Sequence, residues 1–369
     1  MRKALLFIAT AMLSFTMFAQ NISNTAGINK LSLEVRTDFD HYNYNCEGTS
    51  DQNSGFYGRY LNFNISGDIS DNLFYQYRQR LNLKNLLTFN DFFDGTDYMI
   101  LGWKVTDNFT LTVGKEVIAM GGIEYDLAPI NVYFHTQMWD NFSCYQFGFN
   151  AQFTTRDKKN EFTIQMTNSP FGGRQISGLY NYSLHWRANY KHFGPVCSIN
   201  FYEYANNKFI NYIALGTSFT FGPIEGYADW TNRATTEQKN FFFYDMTIDG
   251  RIGMNMVQKK LNVYVKAGYD INKAQDFNDI NKAQDFNSII TDDIYDLCIL
   301  PGTEVLFYGA GAEFYPVKDS RNIRIHTFFA VNDARRTMGI ANGLLVPNDS
   351  KVTYQANVGI TWRINFIKK

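Results

Sequence analysis

From Val352 to Phe366 the chain alternates without a break. Val352, Tyr354, Ala356, Val358, Ile360, Trp362, Ile364 and Phe366 fall on one face of an extended strand; Thr353, Gln355, Asn357, Gly359, Thr361, Arg363 and Asn365 fall on the other. Strands of globular proteins run about 5–6 residues. Parity held for so long requires a surface that is apolar on one side and aqueous on the other across a whole membrane. A transmembrane β-barrel supplies that surface.

The same period recurs in sixteen segments: 30–39, 58–69, 73–83, 97–106, 108–115, 143–154, 160–168, 180–190, 195–204, 210–220, 224–233, 241–255, 260–270, 304–315, 322–331 and 351–366. The gaps between them alternate. Asp40–Tyr57, Lys84–Thr96, Lys115–Asn141, Thr167–Leu179, Asp270–Thr303 and Asn332–Ser350 are long, whereas Ser70–Asn72, Asp107, Thr155–Asn160, Lys191–Gly194 and Phe221–Pro223 are short. Outer-membrane barrels alternate long outer loops with short periplasmic turns in this way. The expected architecture is therefore all-β: a transmembrane antiparallel β-barrel of about 16 strands, with both termini periplasmic. Composition agrees, since 24 Tyr and 33 Phe suit strands and only 7 Pro interrupt them. After residue 20 no run reaches the ~18 apolar residues of a spanning helix.

Arg2 and Lys3 precede an apolar run, Ala4–Phe18, that ends at Phe18-Ala19-Gln20, the pattern of a signal peptide cut after Ala19. The expected organisation is a cleaved signal, 1–19, and one barrel domain, 20–369, in the outer membrane of a Gram-negative bacterium. Removing 1–19 takes away Arg2 and Lys3 and no acid, leaving 32 basic against 35 acidic side chains, a balance of -3. That charge gives no basis for nucleic-acid binding. Export permits disulfides; of Cys46, Cys144, Cys197 and Cys298, the pair Cys46–Cys298 would lie in outer loops. INKAQDFN at Ile271–Asn278 repeats at Ile280–Asn287, a duplication that lengthens an exposed loop.

Parity also sorts the charges. In the third segment Leu73, Tyr75 and Tyr77 share a face with Leu81, while Gln76, Arg78 and Arg80 share the other. A basic side chain facing lipid at mid-bilayer costs about 2–4 kcal/mol, so Arg78 and Arg80 are expected to point inward. The same rule turns Arg36, Lys104, Arg187, Arg251, Lys266, Arg324 and Arg363 inward, along with Glu34, Asp38, Glu225, Asp229, Asp245, Asp249 and Asp270. A lumen holding both signs suits a water-filled channel. Arg78 and Arg80 are the best anion contacts; the structural alternative is that they pair with lumen acids. Ser183 and His185 share the inward face, away from acyl chains, so a barrel lipase is not expected. His41, His135, His192 and His326 make no metal spacing. Neither enzymatic activity, a cofactor nor a metal is expected.

One interruption stands out. Thr110–Asn141 begins as a strand and then loses its period for about 25 residues, a length that is functional or disordered; its apolar and glycine content speaks against disorder. TLTVGKEV at Thr110–Val117 followed by GGIEYDLAPINVY at Gly121–Tyr133 resembles the phosphate-selective porin O/P family. That resemblance implies a sixteen-stranded barrel, usually trimeric, with the third outer loop folded into the lumen. The expected function is a porin through which small hydrophilic solutes, including anions such as phosphate, diffuse past the constriction at 115–141. The expected contact residues are Lys115, Glu116, Glu124 and Asp126 on the loop facing Arg78, Arg80, Arg187 and Lys266 on the wall. Its partners would be outer-membrane lipid, the permeating solutes and two further copies in a homotrimer. Lys115 stands in that loop against Glu116, Glu124, Asp126 and Asp140, which argues for a size filter more than a phosphate trap. The alternative is a structural or adhesive barrel with a plugged lumen and partner-binding loops.

Overall fold

Sixteen of the strands in a computed structural model close into a single antiparallel barrel. The structure describes residues 27–46, 49–81, 93–172, 177–235, 245–257, 260–273, 299–300, 302–317, 320–341, 344–348 and 350–368. The strands are β1 (Gly27–Cys46), β2 (Thr49–Asp68), β3 (Leu73–Arg80), β4 (Thr96–Thr106), β5 (Phe109–Val117), β6 (Tyr145–Thr154), β7 (Asn160–Asn168) and β8 (Tyr180–Ala188). They continue with β9 (Phe193–Ala205), β10 (Lys208–Phe221), β11 (Ile224–Thr235), β12 (Asp245–Met256), β13 (Leu261–Asn272), β14 (Glu304–Phe314), β15 (Ile323–Ala341), β16 (Leu344–Asn348) and β17 (Lys351–Lys368). From β1 to β15 each strand pairs with the next. β16 pairs only with the far end of β15, and β17 closes the ring on β15 and β1. Pairing of β17 with β1 consumes both edges of the barrel sheet.

Two stretches expected as loops are largely strand. β1 and β2 run on past the barrel as a ladder from Asp40↔Gly55 to Cys46↔Thr49. β15 likewise continues into a hairpin with β16. Tyr42, Tyr44 and Tyr57 alternate with polar residues in the first of these extensions, so the strand period carries on beyond the reach of the membrane argument. The signal peptide, residues 274–287 of the INKAQDFN repeat and Cys298 lie outside the described residues, whereas Ile271 and Asn272 at the start of the repeat are the end of β13 rather than loop.

The short turns gather at one end. Ile69–Asn72 follows β2, Asp107–Asn108 separates β4 from β5, and Gly222–Pro223 separates β10 from β11, with Gly222 in the left-handed region at φ 61°. Gly27 pairs with Asp68 beside the first turn and Lys30 pairs with Lys368, so both ends of the described barrel lie at this end.

Burial is inverted relative to a water-soluble protein. On β7, Ile164 is 61% exposed while its neighbour Gln165 is 1% exposed. Leu184, Phe149, Val358 and Phe366 are exposed in the same way, and Ser183, Asn181, Asn200 and Asn357 are buried. The apolar face is outermost and the polar face inward, as the alternation predicts. The inner face is not uniformly polar, however. Inward Tyr202, Tyr204, Tyr212 and Ala214 of β9 and β10, and Tyr264, Phe307 and Phe328 of β13 to β15, form two buried apolar clusters. Each cluster is completed by residues between β5 and β6.

Candidate functional site

Those residues are the interrupted stretch. It leaves β5 at Val117 and re-enters the wall at Tyr145, closed at its base by the Ile118 amide on the Cys144 carbonyl at 2.8 Å. Between lie helix α1 (Ile123–Asp126), a 3-10 turn (Pro129–Asn131) and helix α2 (Gln137–Asn141), the last capped by Thr136, whose Oγ1 accepts from the Trp139 amide at 3.1 Å.

Inner-face side chains hold the stretch at every step. Gln165 takes the Ala119 amide at 2.7 Å and donates to the Val117 carbonyl at 3.0 Å. Asn200 donates to the Ala119 carbonyl at 2.9 Å, and the Gly121 amide donates to Ser198 Oγ at 2.8 Å. The next amide, Gly122, reaches the Val196 carbonyl of β9 at 3.0 Å. This close approach explains the paired glycines. A Cβ on Gly121 would sit 2.6 Å from the Ala214 carbonyl oxygen, and one on Gly216 would sit 2.7 Å from Gly122 Cα. Gly122 also needs φ 104°, which few other residues adopt.

Further along, Arg324 donates to the Ile130 carbonyl at 3.1 Å and Arg36 to the Val132 carbonyl at 2.8 Å. The Tyr133 hydroxyl donates to Glu313 at 2.8 Å, and the Gln137 amide to Asp270 at 2.8 Å. Apolar contact adds to this: Ile118, Met120, Met138 and Phe142 pack on Tyr202 and Tyr212, while Tyr133 and Phe134 pack on Tyr264, Phe307 and Phe328. Beyond its first residues, which Gln165 of β7 holds, the stretch therefore lies on the inner face of β1, β9 to β11 and β13 to β15. Burial keeps His135 below the usual histidine range and pushes the Cys144 thiol up to about 11, so neither is charged at neutral pH.

The expected contact residues separate into three groups. Glu124 and Lys266 form a buried ion pair that ties the stretch to β13. Glu124 also accepts from Thr136 Oγ1 at 2.6 Å, Lys266 donates to the Phe134 carbonyl at 2.7 Å, and the Glu124 amide donates to Asp229 at 2.7 Å. This is an anchor, in which both charges are buried against each other.

Lys115 is a correction. It stands in β5, opposite Met99 and Phe147, on the face of the exposed Val113; its ammonium donates to the Phe93 carbonyl and lies 5.9 Å from the Phe147 ring. The third outer loop begins after Val117, and the strand parity that still governs Lys115 turns it outward.

Arg78, Glu116, Asp126 and Arg187 are brought together. They line a cavity of about 240 Å³ between residues 116–129 and the wall of β3 to β8, with Tyr98, Tyr145, Gln165, Glu161 and His185 around it. Asp126 pairs with Arg187, both half-exposed. Arg78 and Arg80 both bond one carboxylate, Asp97, each through Nε at 2.8 Å. Arg78 also lies 4.6 Å from the Tyr98 ring centroid. Asp97, Tyr98 and Gln165 were missed as site residues. The inward parity of Tyr98 and Gln165 is readable, but nothing local marks which inward residues face open space; Asp97 has the opposite parity to Lys104, and only the register shift beside Gln79 brings it to the arginines.

Other inward charges form ion pairs on the packed side. Arg36 bonds Asp38 at 2.7 Å, His326 bonds Asp38 at 2.9 Å, and Arg324 and Arg251 approach Glu313 at 3.3 and 3.5 Å. Arg233 bonds Asp245 at 2.8 Å.

The sequence profile of the family described as phosphate-selective porin O and P matches residues 30–240. The chain belongs to that family. It is thus an outer-membrane β-barrel of the porin type, and its exposed apolar belt is the face such a barrel turns to lipid. Several solved structures share the fold. OmpT of Vibrio cholerae, folded in vitro, superposes with a TM-score of 0.55 at 11% identity over 93% of this chain and 98% of its own. Its trimer form gives 0.52 at 12% identity over 92% and 100%. A porin refined at 1.8 Å resolution gives 0.53 at 10% identity over 91% and 99%. At such identities the likeness concerns the fold alone. Comparison with curated proteins returns no match.

Proposed function

We propose that this porin is a passive diffusion channel constricted by residues 118–142, and that solutes cross beside that stretch rather than through the centre of the barrel. The observation carrying this reading is the asymmetry of the inner wall: two apolar clusters pack the stretch against β9, β10 and β13 to β15, leaving a cavity of only about 20 Å³ beside Tyr227, Arg251 and Lys266, while the cavity of about 240 Å³ beside β3 to β8 has charged and amide side chains on its wall. Small hydrophilic solutes pass that gap, with anions such as phosphate among them. Arg78 and Arg187 offer contacts to anions, and Glu116, Asp126 and Glu161 oppose any strong preference for them. No bond is made or broken in this process. The short-turn end, which carries both chain ends, is assigned to the periplasm, and three copies assemble, as in the trimer form of the structural neighbour.

Planar-bilayer recording on purified, folded protein tests this. Steady conductance with a reversal potential near zero in a KCl gradient is expected. Folded protein without conductance would overturn the channel reading and favour a barrel plugged by the stretch. Bulk replacement at Arg187, by Arg187→Trp, should cut conductance, because that side chain borders the gap.

A further inference from the structure

The charges around the gap, Arg78 and Arg187 against Glu116, Asp126 and Glu161, are not all paired with one another. On β3 and β4, two guanidinium groups, Arg78 and Arg80, share the single carboxylate of Asp97. That cluster holds one positive charge in excess. On β5, Glu116 is buried, turned inward, and receives the Thr112 hydroxyl at 3.1 Å. Among the described residues no basic side chain forms an ion pair with it; Lys115, its chain neighbour, points to the opposite face. The second site therefore holds one negative charge in excess.

Register fixes the relation between the two sites. Arg78 is directly opposite Tyr98, and Lys115 is directly opposite Met99. One step along the same strands brings Glu116 level with Tyr98. Arg78, Tyr98 and Glu116 thus form one row across three neighbouring strands, and all three line the cavity. Adjacent strands lie about 4.8 Å apart, so the backbones bearing the opposite charges are about 10 Å apart, with an aromatic ring between them. An extended peptide advances about 3.3–3.6 Å per residue, which sets its two termini at that spacing for two to three residues.

We propose that the gap favours zwitterionic solutes, namely short peptides with free termini. The carboxylate turns to the Arg78–Arg80 side, the ammonium turns to Glu116, and the Tyr98 ring lies under the chain between them. A lone anion gains at one end of the row and is repelled at the other; a lone cation meets the reverse. A solute carrying both signs gains at both ends. Two weak contacts of this kind favour entry without trapping the solute, as permeation requires.

This inference rests on the diffusion-channel reading, and one experiment separates the two. The full chain is reconstituted into liposomes. Swelling is compared for triglycine, for the same peptide with an acetylated N-terminus and amidated C-terminus, and for inorganic phosphate. Triglycine is expected to enter roughly threefold faster than its blocked form, the factor that one or two half-solvated charge contacts give. In Glu116→Gln the ratio of free to blocked peptide should fall toward one. The wild-type ratio stands as a test even if that variant fails to fold. Equal entry of free and blocked peptide, with KCl conductance present, overturns the inference and leaves the channel standing. Phosphate entering faster than triglycine does the same. Entry of no solute and no conductance overturns the channel itself.

Discussion

Arg78 and Arg80 converge on Asp97, each through Nε at 2.8 Å, so one carboxylate on β4 orients two guanidinium groups on β3. The register shift between Arg78 and Gln79 places Asp97 where both can reach it. Replacing Asp97 by Asn removes the compensating charge while keeping the shape. The reversal potential in a KCl gradient should move toward the chloride value, and folding stability should fall by about 1–3 kcal/mol through loss of charge-assisted hydrogen bonds. Unchanged selectivity in folded Asp97→Asn would mean that these arginines do not face the permeation path.

Lys266 and Glu124 predict a different response. They are buried together in the anchor, so removing one strands the other. Lys266→Met should cost about 3–5 kcal/mol and loosen residues 123–136, giving noisier and larger conductance. Thermal unfolding of the detergent-solubilised barrel and single-channel traces report the two effects. A quiet channel of native stability would remove the anchor role.

At Gly121 there is no room for a methyl group. Gly121→Ala must move the stretch away from the Ala214 carbonyl and the Ser198 amide, at about 1–3 kcal/mol for the overpacking. Displacement narrows the gap on the other side, so conductance should fall while the barrel still folds. An unaltered channel would show that the stretch accommodates the extra carbon elsewhere.

The outer and inner faces of β7 should respond oppositely to one charge. Ile164→Lys introduces an ammonium into the exposed apolar belt and should cost about 2–4 kcal/mol at mid-bilayer. Thr163→Lys, one residue away, points into the cavity and should fold while lowering the permeability of cations. Refolding yield into lipid, scored by the compact form's faster migration on unheated gels, distinguishes them.

The strand order and the inward or outward sense of almost every wall residue were legible because both follow from local periodicity: in β17 the alternation alone assigned the exposed Val358 and the buried Asn357 to opposite faces. The extensions of β1, β2 and β15 are not marked in the sequence by an apolar face, because beyond the membrane both faces meet water and only a short tyrosine alternation at Tyr42 and Tyr44 remains. In the site, sequence grouped Glu124 with Asp126 and Lys266 with Arg187 by charge and by face, yet the structure buries the first member of each pair in the anchor and leaves the second at the gap. Lys115 was misplaced because the strand outlasts the point at which the loop was taken to begin.

By itself, then, the sequence determined a closed antiparallel barrel with a polar interior and one long apolar, glycine-bearing interruption between β5 and β6. Only the tertiary structure decided how this stretch packs on the inner wall, and hence that Arg78, Glu116, Asp126 and Arg187 line the larger cavity while Glu124 and Lys266 do not. A strand's face follows from a repeat of two residues along the backbone. Which charges meet follows from how a folded segment packs across the barrel, through contacts between residues as distant in the chain as Arg324 and Ile130.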